Sequence, residues 1–539
     1  MAMNEPAAPD RAFGDWIVLL ALGAGAFACV LLVVPYRSFD LDRFFAPKEL
    51  ALHAAALAAG LAALAGARRL ALTRADLALV AWVLLSALSA LFATNHSLAF
   101  RALTVAVSGA AVFWSGRRLA TAGLAPILVR LLALAVVAGA LTGLAQAYGI
   151  KMEFAALNRA PGGMFGNRNF MAHLTAAGLP LLLWCIASAR GKGGGLFWTI
   201  SLGISAAALV LSRTRAAWLA LAVCAVVGGV IVVAGAPLVD HEDSRRRIKR
   251  AVVAVVSGVL LAIVLPNSLD WRSDSPYLDS VRGVVDYRGG SGRGRLAQYA
   301  NSARMAAAHP LLGVGPGNWA VIYPKFAPAT DPSLSDATGM AANPWPSSDW
   351  VAALSERGVA AFLSFAGFVV LLLGGALKGR YDSAVLPRER LAAIAGGGVV
   401  FIAALEGMFD AVLLLPTPLV VVMAAAGALI PPGAPRRMLS GKHGSRVVLG
   451  VIFAAFTTAA CYLGDRRIEA MRLYEVGTQA ALESALSRDP GSYRIQMRAA
   501  DYFASRNQCT RARAHALSAR ALFPYASAPR RVLAQCKTV

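Results

Sequence analysis

The feature that most limits what this chain can fold into is a long succession of apolar runs parted by short polar ones. Runs of roughly 17–25 residues fit helices that cross a bilayer. They fall at about 16–35, 47–67, 76–94, 99–116, 124–148, 170–189, 195–211, 214–235, 251–266, 350–376, 390–411, 414–431 and 447–464. They are rich in Ala, Gly and Leu. Backbone polar groups in lipid must be satisfied within the chain, which favours a helical bundle over a barrel here. The expected fold is all-α: a polytopic membrane helical bundle of about 12–13 transmembrane helices. A chain of 539 residues that is 58% hydrophobic and 15% charged is not an ordinary soluble domain.

The formal charge of +23 has a membrane explanation, because basic residues collect in loops that stay cytoplasmic. Every second loop is basic. These loops hold Arg68, Arg69 and Arg74; Arg117 and Arg118; Arg190 and Lys192; Arg245, Arg246, Arg247, Lys249 and Arg250; Lys378, Arg380, Arg388 and Arg390; and Arg436, Arg437, Lys442 and Arg446. The alternate loops mix signs, as in Asp40, Asp42, Arg43, Lys48 and Glu49. The charge therefore requires no nucleic acid; membrane lipids are the expected partners, and part of the excess suits anionic headgroups or a phosphorylated substrate. Residues 1–15 carry Glu5, Asp10, Arg11 and Asp15 without a basic leader, so the first run reads as a retained helix.

The expected division is a cytoplasmic tail (1–15), a first bundle part (16–266), a large extracytoplasmic loop (267–349), a second bundle part (350–464) and an extracytoplasmic helical tail (465–539). In the tail, Pro490 and Pro524 close two similar helix-pair patterns 34 residues apart. That spacing matches the tetratricopeptide period of about 34. Cys29, Cys185, Cys224 and Cys461 lie in apolar runs and read as packing residues, and no metal spacing is present. Cys509 and Cys536 read as a disulfide clamping the tail, with two buried thiols as the alternative.

The longest polar interval, Ser291–Trp350, gathers the chemistry. Arg293 and Arg295 stand in a Gly-rich stretch that would let backbone approach a ligand. Arg213 and Arg215 sit between two apolar runs on the same expected side, where an arginine fork suits a pyrophosphate. Gly313-Val-Gly-Pro-Gly-Asn318 reads as a tight turn positioning Trp319 and Tyr323, because Pro316 and the absent strand exclude a nucleotide loop. His309 reads as a turn residue or a catalytic group. Asp349 reads as a helix N-cap or a general base. Asn169 reads as a cap, or as a pocket residue with Arg168, Asn167 and His173. Glu406 and Asp410 read as salt-bridge partners or substrate ligands.

Three of these stretches resemble the O-antigen ligase and polymerase superfamily of bacterial membrane glycosyltransferases. Gly166-Asn-Arg-Asn-Phe170 is similar to its Gly-Asn-Pro-Asn-Phe. Ser212-Arg-Thr-Arg-Ala-Ala-Trp218 is similar to its Ser-Arg-Gly-Ala-Trp turn. Gly294-Arg295 with His309-Pro-Leu-Leu-Gly-Val-Gly-Pro-Gly-Asn318 resembles the motif of its large periplasmic loop. The resemblance covers about residues 16–464, and tetratricopeptide-like tails also occur in that superfamily. It implies an inner-membrane enzyme with a cytoplasmic N-terminus and a periplasmic loop and tail. It implies a donor glycan on undecaprenyl pyrophosphate, moved with inversion to lipid A–core, a second glycan or a protein, with no cofactor, metal or nucleotide. Arg215 and Arg295 match arginines thought to hold the donor pyrophosphate, with Arg213 and Arg293 as neighbours. The superfamily usually has a His before the helix that follows the loop; here that position is Ser347. Asp349 or His309 is then the candidate base, or leaving-group departure dominates. A lipid-linked glycan transporter and a non-catalytic scaffold, with the tail recruiting a protein partner, are the readings of other classes.

Overall fold

The computed structural model describes residues 12–67, 70–150, 160–189, 191–234, 241–271, 273–283, 290–335, 338–439 and 443–536. Glu5, Asp10, Arg11, Arg68, Arg69, Arg190 and Lys442 lie outside these residues. The chain is all-α and polytopic. Its helices are α1 (Phe13–Leu31), α2 (Asp42–Ala65), α3 (Arg74–Ala90), α4 (His96–Thr121), α5 (Ala125–Ala147), α6 (Arg168–Ser188), α7 (Lys192–Ser212), α8 (Arg215–Val233) and α9 (His241–Val264). Then come α10 (Pro276–Arg282), α11 (Gly290–Ala308) and α12 (Trp319–Ile322) in the large loop, and α13 (Asp349–Tyr381), α14 (Pro387–Glu406), α15 (Pro416–Leu429) and α16 (His443–Val476). The tail adds α17 (Gln479–Arg488), α18 (Tyr493–Ala504), α19 (Cys509–Leu522) and α20 (Ala528–Gln535).

Each of the thirteen expected apolar runs coincides with a helix. Among the described residues nine are long and apolar enough to cross a membrane unaided: α1, α2, α4 to α8, α13 and α16. The other four fall short for visible reasons. Helix α3 has 17 residues and α15 has 14. The first turns of α9 are crowded with charge, and α14 opens on Arg388, Glu389 and Arg390. Helix α15 is nevertheless buried along its whole length, wrapped by other helices.

The two classes of loop meet at opposite ends of the bundle. At one end Arg118 pairs with Asp15 (2.7 Å), Arg117 pairs with Asp76, Arg446 reaches Ala67 O and Arg247 reaches Ala187 O. There β1 (Leu70–Leu72) and β2 (Arg437–Leu439) form a small antiparallel pair. At the other end Ser38 meets Glu475, Asn95 meets Asn318, Arg213 meets Ser280 and Ser268 meets Ala147. Arginines at the first end thus cap carbonyls at helix C-termini, where the helix dipole favours cations.

The Gly-rich motif of the large loop is a clasp on a kinked helix. Gly358 has φ 82° and breaks α13. The carbonyls of Ser355 and Glu356, freed from the helix ladder, then accept the N–H groups of Val314 (3.1 Å) and Gly315 (2.8 Å), and Val359 N–H donates to Pro310 O (2.9 Å). Ser89 Oγ adds a bond to Leu312 O (2.6 Å). A Cβ at Gly358 would stand 2.2 Å from Leu311 O, and one at Gly313 would stand 2.2 Å from Glu356 C. Asn318 closes the clasp by exchanging bonds with the Asn95 backbone (2.7 and 3.1 Å). Trp319 and Tyr323 are fully buried in a loop core with Met305 and Val314. Burial pushes the Tyr323 phenol well above its usual range, so it remains a donor to Asp331 (2.8 Å).

The tail does not start where the last apolar run ends, because α16 continues unbroken to Val476. It docks on the bundle through Arg467, which lies between Glu49 of α2 (3.7 Å) and Asp489 (3.8 Å), while Arg101 of α4 holds Glu49 and Asp42 in place (both 2.7 Å). Phe39, Ala46, Met471 and Ile495 pack beside them. Helices α17 and α19 end 34 residues apart, at Arg488 and Leu522. Cys509 and Cys536 are disulfide-bonded with Cα atoms 5.3 Å apart, and Ser527 N–H donates to Thr338 O in the large loop (3.0 Å).

Two measurements check these accounts. Gly358→Ala lowers stability in detergent by about 2 kcal/mol, from positive φ and clash together, whereas Gly374→Ala, whose Cβ meets nothing within 4 Å, leaves the melting temperature unchanged or slightly raised. Arg101→Ala takes the nearest cation from two part-buried carboxylates. It costs about 2 kcal/mol, and limited proteolysis releases the tail earlier than in the parent.

Candidate functional site

Four elements at the loop-bearing end converge on one polar site. The first is the start of α6. Asn167, rather than Asn169, caps this helix, accepting Asn169 N–H (3.0 Å). That frees the Asn169 side chain, which donates to Asp410 (3.1 Å) and accepts from Thr214 Oγ (3.2 Å). One turn further on, His173 is fully buried. Its Nδ1 lies 3.0 Å from Glu406 and its Nε2 lies 3.4 Å from Asp410.

The second element is the turn between α7 and α8. Arg213 takes φ 52° and closes α7, and Arg215 is the first residue of α8. The two side chains part company. Arg213 bonds Ser280 Oγ (2.8 Å) and lies over the Trp271 ring (4.8 Å). Arg215 donates to Gly283 O. Arg168, half-buried, feels both of these arginines as like charges.

The third element is α11. Arg293 and Arg295 belong to the first turns of this helix and not to an open Gly-rich loop. Residues two apart on a helix point to different sides. Arg295 is 20% exposed and faces Asp410 (3.7 Å), whereas Arg293 is exposed. The helix is held by Gln298, which accepts Ser347 N–H (2.6 Å). The Tyr299 hydroxyl lies 2.7 Å from Ser347 O and 2.8 Å from Met408 O.

The fourth element is the segment between α14 and α15, residues 407–415. Asp349 organises it. Ser348, and not Asp349, caps α13, its hydroxyl accepting Val351 N–H (3.3 Å). The buried Asp349 carboxylate instead accepts the N–H groups of Val412 (3.0 Å), Leu413 (2.8 Å) and Leu414 (3.3 Å). With three donors already on it, this carboxylate is a positioning group for the segment that carries Asp410. His309 is exposed at the far end of α11. Fourteen residues of helix separate it from Arg295, about 21 Å, so the two do not share a site.

Arg215, Arg295, Gly283, Gly292 and Phe409 line one open cleft of about 310 Å³. A larger cleft of about 860 Å³ is almost wholly apolar. Its one arginine, Arg357, is already paired with Glu356 (2.8 Å), so it offers an anion little. The smaller cleft is where two guanidinium groups meet. Of the expected residues, Asn169, His173, Glu406 and Asp410 join that site behind Arg295, Thr214 adds to it through Asn169, and Tyr299 and Gln298 hold α11 in place. A sequence signal for Thr214 was present, since it stands between the two arginines of the turn. Tyr299 and Gln298 carried none, because their partners are backbone groups about fifty and a hundred residues away.

Comparison with known proteins bears on part of the chain. Residues 200–366 match a family model described as O-antigen ligase. No curated protein matches the chain. The matched segment contains Arg213, Arg215, Arg293, Arg295 and the whole 309–318 clasp, and leaves His173, Glu406 and Asp410 outside. With the multi-pass helical fold, that match supports a membrane glycosyltransferase of the ligase or polymerase type.

Proposed function

We propose that the chain moves a glycan from a polyprenyl pyrophosphate, undecaprenyl pyrophosphate in a bacterial inner membrane, to an acceptor hydroxyl. The observation that carries this reading is the meeting of Arg215 and Arg295 in one cleft at the loop-bearing end of the bundle. They come from elements about eighty residues apart in sequence, and each is oriented by a carbonyl or carboxylate of the scaffold. An arginine fork matches phosphate geometry. A cleft at the loop-bearing end of the bundle, beside the first turn of α8, suits a headgroup whose chain stays in lipid.

The chemistry is a displacement at the sugar carbon. The acceptor oxygen forms the new bond on the face opposite the leaving group, and configuration inverts. The bond from that carbon to the pyrophosphate oxygen breaks, and its electron pair stays on the pyrophosphate. Charge grows there as the bond stretches, next to two guanidinium groups, so stabilisation is greatest in the transition state. The acceptor hydroxyl releases its proton to water on its own face of the sugar, and the pyrophosphate leaves as the anion. Asp349 is committed to three amides and His309 is remote, so neither is assigned a proton-transfer role here. Lipid A–core, a second glycan repeat or a protein hydroxyl is the acceptor, and ligase and polymerase share this donor step. The tetratricopeptide-like spacing of the tail, docked on both bundle and loop, supports a role in presenting an acceptor or a protein partner.

Purified chain given undecaprenyl-pyrophosphate glycan and acceptor, without nucleotide, transfers the glycan. Arg215→Ala and Arg295→Ala each lower kcat on the order of a hundredfold. Arg293→Ala stays within a factor of about two, its exposed charge being screened. Undiminished transfer in both of the first two variants refutes the pyrophosphate assignment. Sidedness is checked by placing a single cysteine at Ser335 in a chain without its four free cysteines. An impermeant maleimide added from the periplasmic side labels it, and labelling from the cytoplasmic side alone contradicts the orientation.

A further inference from the structure

The arginine cleft is backed by a group of buried ionisable side chains that the donor chemistry leaves without a task. His173 and Glu406 are both 0% exposed, on α6 and α14. Their bond, Nδ1 to Oε1 at 3.0 Å, leaves His173 Nε2 and Glu406 Oε2 without hydrogen-bond partners among the described residues. Buried polar atoms in a purely structural pair are normally all satisfied. Here the imidazole Nε2 instead faces Asp410 Oδ2 at 3.4 Å, and that same oxygen faces Arg295 at 3.7 Å and accepts from Asn169 at 3.1 Å.

The charges that face His173 come from the α14 side of the site. Glu406 lies on α14, Asp410 on the following segment, Asp349 on α13, and Arg295 on α11 beyond Asp410. A protonated imidazole adds a second cation to Arg295 beside Asp410, and a neutral imidazole leaves Arg295 as the cation there.

We propose that His173, held by Glu406, is a positioning residue that sets the affinity of the arginine cleft for its anion. It does so by fixing the charge beside Asp410. The inference rests on the donor-pyrophosphate reading above. When the imidazole is protonated, Asp410 is balanced from the bundle side and the field of Arg295 is directed into the cleft. When it is neutral, Asp410 has Arg295 as its main counter-charge and competes with the incoming phosphate for it. The sign follows. Anion affinity is greatest while His173 is protonated and falls as pH rises through the titration of the group. By linkage, binding takes up protons in that range.

The test is binding of undecaprenyl pyrophosphate to the full chain in nanodiscs across about pH 7.5–11, above the last ionisation of the pyrophosphate and wide enough to cover loss of the proton from an imidazole flanked by two carboxylates. Uncharged undecaprenol is the reference ligand. The pyrophosphate Kd of the parent rises on the order of tenfold over this range, while that of undecaprenol does not move. His173→Asn binds as weakly at the acid end as the parent does at the alkaline end, and its profile is flat. Glu406→Gln removes one counter-charge, so the imidazole loses its proton earlier and the fall in affinity shifts to lower pH. That variant keeps the shape of the site, and together with the parent profile it decides the matter if His173→Asn does not fold. A parent Kd that is constant with pH, or a Glu406→Gln profile that coincides with the parent, overturns the role of His173 and leaves the donor site standing. Absence of pyrophosphate binding at every pH overturns the donor site, and this inference with it.

Discussion

The site depends on one constraint: ionisable groups at the edge of an apolar bundle persist only where they satisfy one another. Asp410 is where that requirement is met. One carboxylate oxygen faces His173 from α6, Arg295 from α11 and Asn169 from the start of α6, and the other accepts Ala411 N–H (2.9 Å). Through Asn169 the contact extends to Thr214 and so to the turn that carries Arg213 and Arg215. Remove Asp410 and α6 and α11 lose their common partner. Asp349 plays the supporting part, since its three amide bonds hold the segment on which Asp410 stands.

The large loop is held as firmly by backbone geometry as the site is by charge. The kink at Gly358 frees carbonyls of α13, and the 309–318 motif uses them as if they were the edge of a strand. The cost of interrupting a helix in a low-dielectric setting is offset because the freed carbonyls find new donors. The tail then braces the arrangement from two sides, through Arg467 on Glu49 of the bundle and through Ser527 on Thr338 of the loop. Loop, bundle and tail are thereby fixed around a cleft between α8 and α11.

Much of the fold was legible because its cause is composition. Apolar runs of spanning length and alternating basic loops report the helices and the two ends of the bundle directly. The pairing of Arg215 with Arg295 was legible from resemblance and not from periodicity, since nothing local links positions so far apart. Details that depend on one residue's rotation about a helix were not. Arg293 and Arg295 read alike in sequence, yet helical geometry puts only Arg295 on the cleft. Asn169 and Asp349 looked like caps, but Asn167 and Ser348 take those positions and leave both side chains for longer-range bonds. The His173–Glu406 pair joins residues 233 positions apart, and neither stands in a motif that announces the other.

The most direct test is the position of the donor headgroup itself. A cryo-EM map of the chain in nanodiscs with undecaprenyl pyrophosphate should show phosphate density between the Arg215 and Arg295 guanidinium groups, with Asp410 behind Arg295. Headgroup density in the apolar cleft beside Arg357, or anywhere that touches neither Arg215 nor Arg295, would contradict the assignment of the site.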